Sequence, residues 1–248
     1  SIYETRDPMR LAYHAVKYPS RDGVTQADIL RVAHPIPPTV DHEAVYKYIV
    51  DGEVTGETVS TELINFLNAA EQARQTSNVN EAVDVIRKYR LPRETLNTAL
   101  LNSPEVWDAL LSSEGEMPMT ALVRNLAKMT QVGLLTPGSD ATRRVVAQLG
   151  NGERIRKARV HPIALLAALK VYEQGKGERG SLTWTPVKTI VNSLDEAFYL
   201  AFGAVEPTGK RLRIALDISA SMDGNTVVGM PFLDARMASA AMALVTLN

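Results

Sequence analysis

One short stretch of the chain carries side chains that could hold a metal ion. Asp217, Ser219 and Ser221 have the spacing D-x-S-x-S, and the apolar alternation of residues 212–218 runs directly into it. Together with Ala215, this alternation predicts a strand that is buried on both faces of a parallel sheet. Folds of the α/β class bind ligands where such strands end, and one carboxylate with two hydroxyls suits a hard cation such as Mg2+. The alternative is that both serines only bond the turn backbone and cap the next helix.

The chain before this loop is predicted to be helical. Thr25 and Asp28 have the spacing of a capping box that opens a helix through Ala33. The strand at 211–218 and a small-residue helix pattern at 232–247 then predict the start of an α/β unit. The helix that follows Ala33 is predicted to be capped by Asp41 or Thr39 and to end before Asp51. The other predicted helices lie at 5–18, 59–74, 80–89, 92–101, 103–112, 117–132, 139–149, 151–157, 161–174 and 186–202.

The composition favours helices packed by aliphatic side chains. Apolar residues make up 45% of the 248 residues, but aromatic residues only 6%. Cysteine is absent, which removes disulfides and thiolate metal sites and is typical of a reducing compartment. The chain has no apolar run of about 18 residues, and its first residues do not resemble a signal peptide. We therefore expect a soluble, cytoplasmic protein.

The charge of the chain is balanced overall but unevenly distributed. The net charge is -1, whereas residues 151–180 carry seven cations and three anions. Residues 41–62 instead carry six carboxylates against one lysine. A local basic patch can bind phosphate even when the whole chain is near neutral. The alternative for residues 151–180 is a solvated helical face.

No motif in the sequence requires a chemical reaction to explain it. Pro207 to Lys210 resembles part of a phosphate-binding loop, but the glycine spacing is wrong and Arg211 stands where a hydroxyl residue is needed. The four histidines lack the spacing of a metal-ligand motif, and no Ser/His/Asp arrangement stands out. We therefore predict that the protein is not an enzyme.

Seven blocks of the sequence are similar to one protein family. The blocks are collinear, span most of residues 10–245, and lie at 27–34, 105–110, 117–129, 157–162, 175–180, 206–211 and 216–222. The chain thereby resembles the Ro 60 kDa autoantigen family, around the junction where its TROVE domain meets a von Willebrand factor A-like domain. The matches are dense enough to make the resemblance specific.

This resemblance implies a mainly α fold with two domains. Residues 1–205 would form part of a ring of HEAT-like helical repeats, and 206–248 the first strand and helix of the A-like domain. Short helices in antiparallel-looking pairs fit stacked hairpins, although the sequence has no strict period. Asp217, Ser219 and Ser221 would be part of a metal-ion-dependent adhesion site (MIDAS). The family completes that site from later loops, so we expect this chain to hold Mg2+ weakly or not at all.

The resemblance also implies non-catalytic RNA binding in RNA quality control. The family holds Y or Y-like RNA on the outer surface of the ring, and single-stranded 3′ ends of misfolded small RNAs in the central hole. The positions that match the outer site form what we call the first basic set, Lys17, Arg21 and His34. Candidates for the hole form the second basic set, which consists of Arg124, Lys128, Arg156, Arg159, His161 and Lys176. Partners would be RNA and an exoribonuclease or another protein, with neither a membrane nor DNA.

Each of these residues also has a plainer interpretation. Lys17 and Arg21 flank a turn and would otherwise be solvated loop charges. His34 stands at a helix end before proline and would otherwise be a capping or exposed histidine. Arg124 and Lys128 are four residues apart and would otherwise be cations that snorkel at a helix rim. His161 can stack on a base or simply begin a helix.

A different class of protein also fits the same features. It is a protein-interaction scaffold whose metal-bearing A-like domain binds an acidic side chain of a partner. Salt and chelator separate the two classes, because phosphate contacts weaken with salt and metal-bridged contacts are lost with chelator.

Overall fold

The computed structural model describes residues 2–54, 58–112, 117–177, 180–207, 209–228 and 230–247. The chain forms two compact units, Ser1–Glu116 and Met117–Asn248. Helices dominate both units, which confirms the predicted mainly helical fold. The predicted domain boundary at 205/206 lies inside the second unit and remains a prediction.

The first unit consists of helices that bury one apolar face each. Its α-helices are α1 (Ile2–Thr5), α2 (Pro8–Lys17), α3 (Gln26–Ala33), α4 (Val40–Asp51), α5 (Thr61–Gln75), α6 (Val79–Tyr89) and α7 (Pro104–Ser112). α2 packs on α4 and α5, α5 on α6, and α6 on α7. Leu11, Leu67 and Trp107 are fully buried. The indole N–H of Trp107 donates to the Leu101 carbonyl at 2.8 Å, so burial leaves this donor satisfied.

A small β-hairpin links α2 and α3 in the first unit. Its strands β1 (Ser20–Arg21) and β2 (Val24–Thr25) are antiparallel, with Ser20 opposite Thr25. The two turn residues, Asp22 and Gly23, both have positive φ angles, 53° and 82°. This is the backbone of the tight turn that Asp-Gly favours in two-residue hairpins. The prediction of a plain turn overlooks this signal.

The second unit is also built on packed helices. Its α-helices are α8 (Met119–Gln131), α9 (Asp140–Leu149), α10 (Gly152–Lys157), α11 (Pro162–Glu173), α12 (Lys188–Leu200) and α13 (Ala235–Leu247). α11 packs on α8 and α12, and α12 on α9. The Tyr172 hydroxyl lies 2.8 Å from the Thr130 hydroxyl, and the Tyr172 carbonyl accepts the Trp184 indole N–H at 2.9 Å. These bonds tie α8, α11 and the segment before α12 together.

The sequence located the beginnings of several helices because cap residues are local signals. The capping box at Thr25 is confirmed: its hydroxyl accepts the Asp28 N–H at 3.1 Å, and the Asp28 carboxylate accepts the Thr25 N–H at 2.9 Å. Asp7 caps α2 through the Arg10 N–H at 3.1 Å, with Pro8 as first helical residue. The helix predicted at 5–18 therefore begins at Pro8.

Replacing Thr25 by alanine is expected to lower the free energy of unfolding by about 1 kcal/mol, the usual effect of a lost N-cap side chain. Ser60→Ala is the matched control, since Ser60 is the N-cap residue of α5 but makes no side-chain capping bond. Urea denaturation of both variants measures the difference. Equal losses for the two variants would contradict the assignment.

The predicted buried strand at 211–218 is wrong in this structure. These residues are exposed and have no regular secondary structure, and Ile218 is 82% exposed. In the described residues, the two sheets are the β1–β2 hairpin and a hairpin of β3 (Thr226–Val227) with β4 (Met230–Asp234). A parallel strand needs hydrogen-bonded neighbours and layers on both faces, and neither surrounds this segment. The described residues between 209 and 247 therefore do not show the A-like domain.

Two helix predictions also differ from the structure for local reasons. The α-helix predicted at 92–101 is replaced by two 3₁₀ segments, Arg93–Thr95 and Thr98–Asn102. Asn97 accepts the Ala99 N–H at 3.0 Å between them, a side-chain bond that competes with a continuous helix. The pattern at 232–247 begins inside β4, and Asp234 accepts the Met237 N–H at 2.6 Å, so the helix begins at Ala235.

Candidate nucleic-acid interface

Lys17 of the first basic set lies against two tyrosines at the end of α2. Its ammonium nitrogen is 5.5 Å from the ring centroid of Tyr13 and 5.4 Å from that of Tyr18. The negative faces of aromatic rings stabilise a cation at this distance. The side chain is therefore held near the β1–β2 hairpin while it remains half-buried and accessible.

Arg21 projects from the same hairpin and is almost fully exposed. Its nearest charged partner is Asp22, at 3.6 Å, and both side chains are more than 90% exposed. Such an ion pair is weak in water. The guanidinium is consequently available to an external anion, and it lies four residues from Lys17 on the other side of Tyr18 and Pro19.

His34 lies at the opposite end of α3 from the hairpin. It is the C-cap residue, with φ 43° and ψ 50°, and its backbone N–H donates to the Leu30 carbonyl at 2.9 Å. The eight residues of α3 span about 12 Å. The structure thus places Lys17 at the end of α2 and Arg21 in the hairpin that follows, and the exposed His34 at the other end of the adjoining helix α3.

Gln26 is a support for this surface that sequence reasoning missed. It is 6% exposed, and its side-chain amide donates to the carbonyls of Tyr18 at 2.5 Å and His14 at 3.2 Å. The pKa of His14 is lowered by its burial and by the charge of Arg6, so that its ring is neutral at pH 7. His14 therefore packs beside the first basic set without adding a cation.

The second basic set begins on α8, where Arg124 and Lys128 are one helical turn apart. Arg124 is exposed, and Lys128 is half-buried and donates to the Gln131 side-chain oxygen at 2.8 Å. Side chains four residues apart lie on the same face of a helix. The two cations therefore share a surface of α8, as predicted.

α10 and the turn after it carry two more members of the set, Arg156 and Arg159, and one cation outside it, Arg154. The Arg154 guanidinium donates at 3.1 Å to the carbonyl of Met117, two residues before α8, so this arginine serves a structural role. Arg156 and Arg159 are exposed, and Arg159 adopts a left-handed φ of 50° in the turn after α10. His161 follows directly after this turn.

His161 and Lys176 lie at opposite ends of α11. His161 is the N-cap residue, and its Nδ1 accepts the Ile163 N–H at 3.2 Å. The predicted helix start is therefore confirmed, while base stacking by His161 remains a prediction. The twelve residues of α11 span about 18 Å, which separates Lys176 from the arginines near α10.

The oxygen atoms of the D-x-S-x-S loop converge although no strand precedes them. Asp217 accepts the Ser219 N–H at 2.8 Å, and the hydroxyl oxygens of Ser219 and Ser221 are also 2.8 Å apart. The hydrogen bond from Ser219 lowers the pKa of Asp217 and keeps it ionised at pH 7. These three donors fit a hard cation in chemistry, but Mg2+ takes six oxygens. Among the described residues, no group of three or more His, Cys, Asp or Glu side chains could hold a metal ion.

Titration of this chain with Mg2+ in a calorimeter is expected to give a Kd of about 1 mM or weaker, because one carboxylate and two hydroxyls leave most of the coordination shell to water. Asp217→Ala should give the same weak heats as the unchanged chain. Tight, stoichiometric binding that Asp217→Ala abolishes would show that the site is complete.

Within the described part of the chain, no helix is both long and apolar enough to cross a membrane. The features that remain are two groups of accessible cations on packed helices and one exposed loop of oxygen donors. They define an α-helical protein with basic surfaces and a candidate cation loop.

Comparison with known proteins identifies the family of this chain. A model of the TROVE domain matches residues 2–170. The chain is 40% identical over 249 residues to "RNA-binding protein RO60" of Deinococcus radiodurans, and 34% identical over 288 residues to "RNA-binding protein RO60" of Caenorhabditis elegans. The chain therefore belongs to the TROVE domain family, and the predicted resemblance is confirmed.

The fold agrees with a solved structure of this family. The crystal structure of the Deinococcus radiodurans Ro (RSR) protein matches with a TM-score of 0.83 and 39% identity, over 99% of this chain and 49% of that one. The sequence matches cover 100% and 99% of this chain but 46% and 44% of the Deinococcus and Caenorhabditis relatives. The chain thus spans just under half the length of these relatives.

Proposed function

We propose that this protein binds RNA without transforming it. The observation that carries the proposal is its membership of the TROVE domain family, together with two relatives that are named RNA-binding proteins and align with nearly the whole chain. The accessible cations support the same conclusion, because phosphate contacts dominate the affinity of proteins for nucleic acids. The protein is then a binding module rather than an enzyme.

The two basic sets are proposed to bind different parts of RNA. The first set, Lys17, Arg21 and His34, would hold a structured Y or Y-like RNA on the outside of a helical ring. The second set, which includes Arg124 and Arg156, would hold the single-stranded 3′ end of a misfolded small RNA in the central passage. Contacts of this kind position RNA without reading its sequence. That tolerance suits a cytoplasmic quality-control protein that passes RNA to an exoribonuclease.

Crosslinking in living cells, followed by sequencing of the captured RNA, tests this function. Small non-coding RNAs are expected, with crosslinks to single-stranded 3′ ends and to one structured RNA. Binding of these RNAs should weaken steeply between 50 and 200 mM salt, as for several phosphate contacts. Capture of no RNA above the level of a charge-reversed control would overturn the proposal.

The second candidate is a protein-interaction scaffold, and the converging loop at Asp217, Ser219 and Ser221 favours it. A divalent cation held there would bridge this loop and an acidic side chain of the partner. Chelator would then abolish partner binding, whereas it would leave RNA binding unchanged. Measuring how salt and chelator each affect the binding of captured RNA and of captured protein decides between the two functions.

A further inference from the structure

Tyr18 is an exposed aromatic side chain that lies between Lys17 and Arg21 in the sequence, where α2 leads into the β1–β2 hairpin. It follows Lys17 directly, stands three residues before Arg21, and is 51% exposed. The Lys17 ammonium lies 5.4 Å from its ring centroid, and the neutral His14 ring lies 5.1 Å away at an interplanar angle of 53°. A flat aromatic surface thus lies beside one cation, Lys17, that can neutralise phosphate, and a second cation, Arg21, follows three residues later in the chain.

The backbone around Tyr18 is fixed before any ligand arrives. Its N–H donates to the His14 carbonyl at 2.9 Å, and its carbonyl accepts the buried Gln26 side-chain amide at 2.5 Å. The N–H of Gln26 in turn donates to the carbonyl of Pro19 at 3.1 Å. These bonds hold the residue between α2 and the hairpin. Binding to its ring therefore requires little ordering of the chain.

We propose that Tyr18 is a stacking site for an unpaired nucleobase of the RNA, with Lys17 and Arg21 neutralising the flanking phosphates. The proposal rests on the RNA-binding function proposed above and adds a ligand subsite to it. Every base has a π face, so an aromatic platform accepts any base that is not already stacked. In an uninterrupted duplex the bases stack on one another and are inaccessible. The first basic set with Tyr18 would consequently select a structured RNA that carries a bulged or looped-out nucleotide.

Two RNA probes and four single substitutions test this proposal. The probes are a hairpin RNA with one bulged 2-aminopurine and the same hairpin fully paired. The substitutions are Tyr18→Ala, Tyr18→Leu, Tyr18→Phe and the control Tyr199→Ala. Tyr199 is similarly exposed, at 54%, but lies on α12 in the other unit, edge-on to Phe198 and Phe202.

Tyr18→Ala and Tyr18→Leu are expected to weaken the bulged probe about 10-fold, the effect of one lost base stack. Their salt dependence should equal that of the unchanged protein, because no phosphate contact is removed. Tyr18→Phe and Tyr199→Ala should bind normally, and the paired probe should not distinguish the variants. The 2-aminopurine fluorescence should be quenched on binding to the unchanged protein and not on binding to Tyr18→Ala.

The outcomes separate failure of this inference from failure of the proposed function. If the unchanged protein binds the bulged probe and Tyr18→Ala binds it equally well, the stacking site is refuted and RNA binding stands. If Tyr18→Leu matches the unchanged protein, apolar bulk rather than stacking is responsible, and the inference is again refuted. If the unchanged protein binds neither probe, the RNA-binding function itself fails.

Discussion

Replacing Lys17, Arg21 and His34 together by alanine is expected to weaken the binding of structured RNA about 100-fold or more. A hydrogen bond that involves a charged group contributes about 1.5–3 kcal/mol, and two of the removed side chains are accessible cations, at the end of α2 and in the hairpin that follows it. Binding of a single-stranded tail should change little, since the second basic set is proposed to hold it. Fluorescence anisotropy with a bulged hairpin and with a single-stranded RNA measures both affinities.

A matched control for this variant lies in the same unit. Arg87→Ala with Lys88→Ala removes two exposed cations from the last turn of α6, and should leave both affinities unchanged. Equal losses for the structured and single-stranded RNAs in the triple variant would mean that the two basic sets form one shared surface. The assignment of separate ligands to them would then be wrong.

Reversing Arg124, Lys128, Arg156 and Arg159 to glutamate is expected to flatten the salt dependence of single-strand binding. Each lost phosphate contact reduces the slope of log K against log salt by about 0.7. Four contacts then lower the slope by almost 3, which corresponds to about a 1000-fold loss of affinity at 0.1 M salt and little loss at 1 M. Titrating a fluorescent single-stranded RNA at three salt concentrations measures this slope.

The control for charge reversal changes the net charge of the same unit by the same amount. It replaces Arg143, Lys188, Arg211 and Arg213, all of them exposed, by glutamate. A general repulsion of RNA would weaken binding equally in both variants. The salt slopes of the two variants differ only if the second basic set forms a local binding passage. Thermal stability should shift little in either variant, since exposed charges usually contribute within about 0.5 kcal/mol each. If both variants and the unchanged protein have the same slope of log K against log salt, the second basic set does not contact phosphate and is only a solvated helical face.

Local signals made most of the helices predictable from the sequence. Asp7 with Pro8, and Thr25 with Asp28, begin helices through hydrogen bonds within four residues of chain. The cations at 124 and 128 share a helix face because their spacing is one turn. The predictions failed where a local hydrogen bond competes with the helix, as at Asn97, and where Asp-Gly makes a hairpin in a segment predicted only as a turn.

Other features depend on contacts that are distant in sequence. The spacing of Asp217, Ser219 and Ser221 was enough to bring their oxygens together, because D-x-S-x-S closes its own turn. The predicted strand at 211–218 could not be decided from its own residues, because a buried strand depends on hydrogen-bonded neighbouring strands and on layers that cover its faces. Sequence also did not distinguish Arg154, which binds the Met117 carbonyl, from the exposed Arg156.

The sequence by itself determined the helical class, because periodicity and composition are written along the chain. Its collinear blocks determined the family, and the resemblance to that family implied the two groups of cations. Only the tertiary structure decided which of those cations are accessible and which side chains lie beside them. It placed the Lys17 ammonium 5.4 Å from the Tyr18 ring centroid and fixed the Tyr18 carbonyl through Gln26, eight residues further along. The physical reason is that burial and hydrogen-bond partners depend on how α2, the hairpin and α3 pack together, and packing is a property of the folded chain.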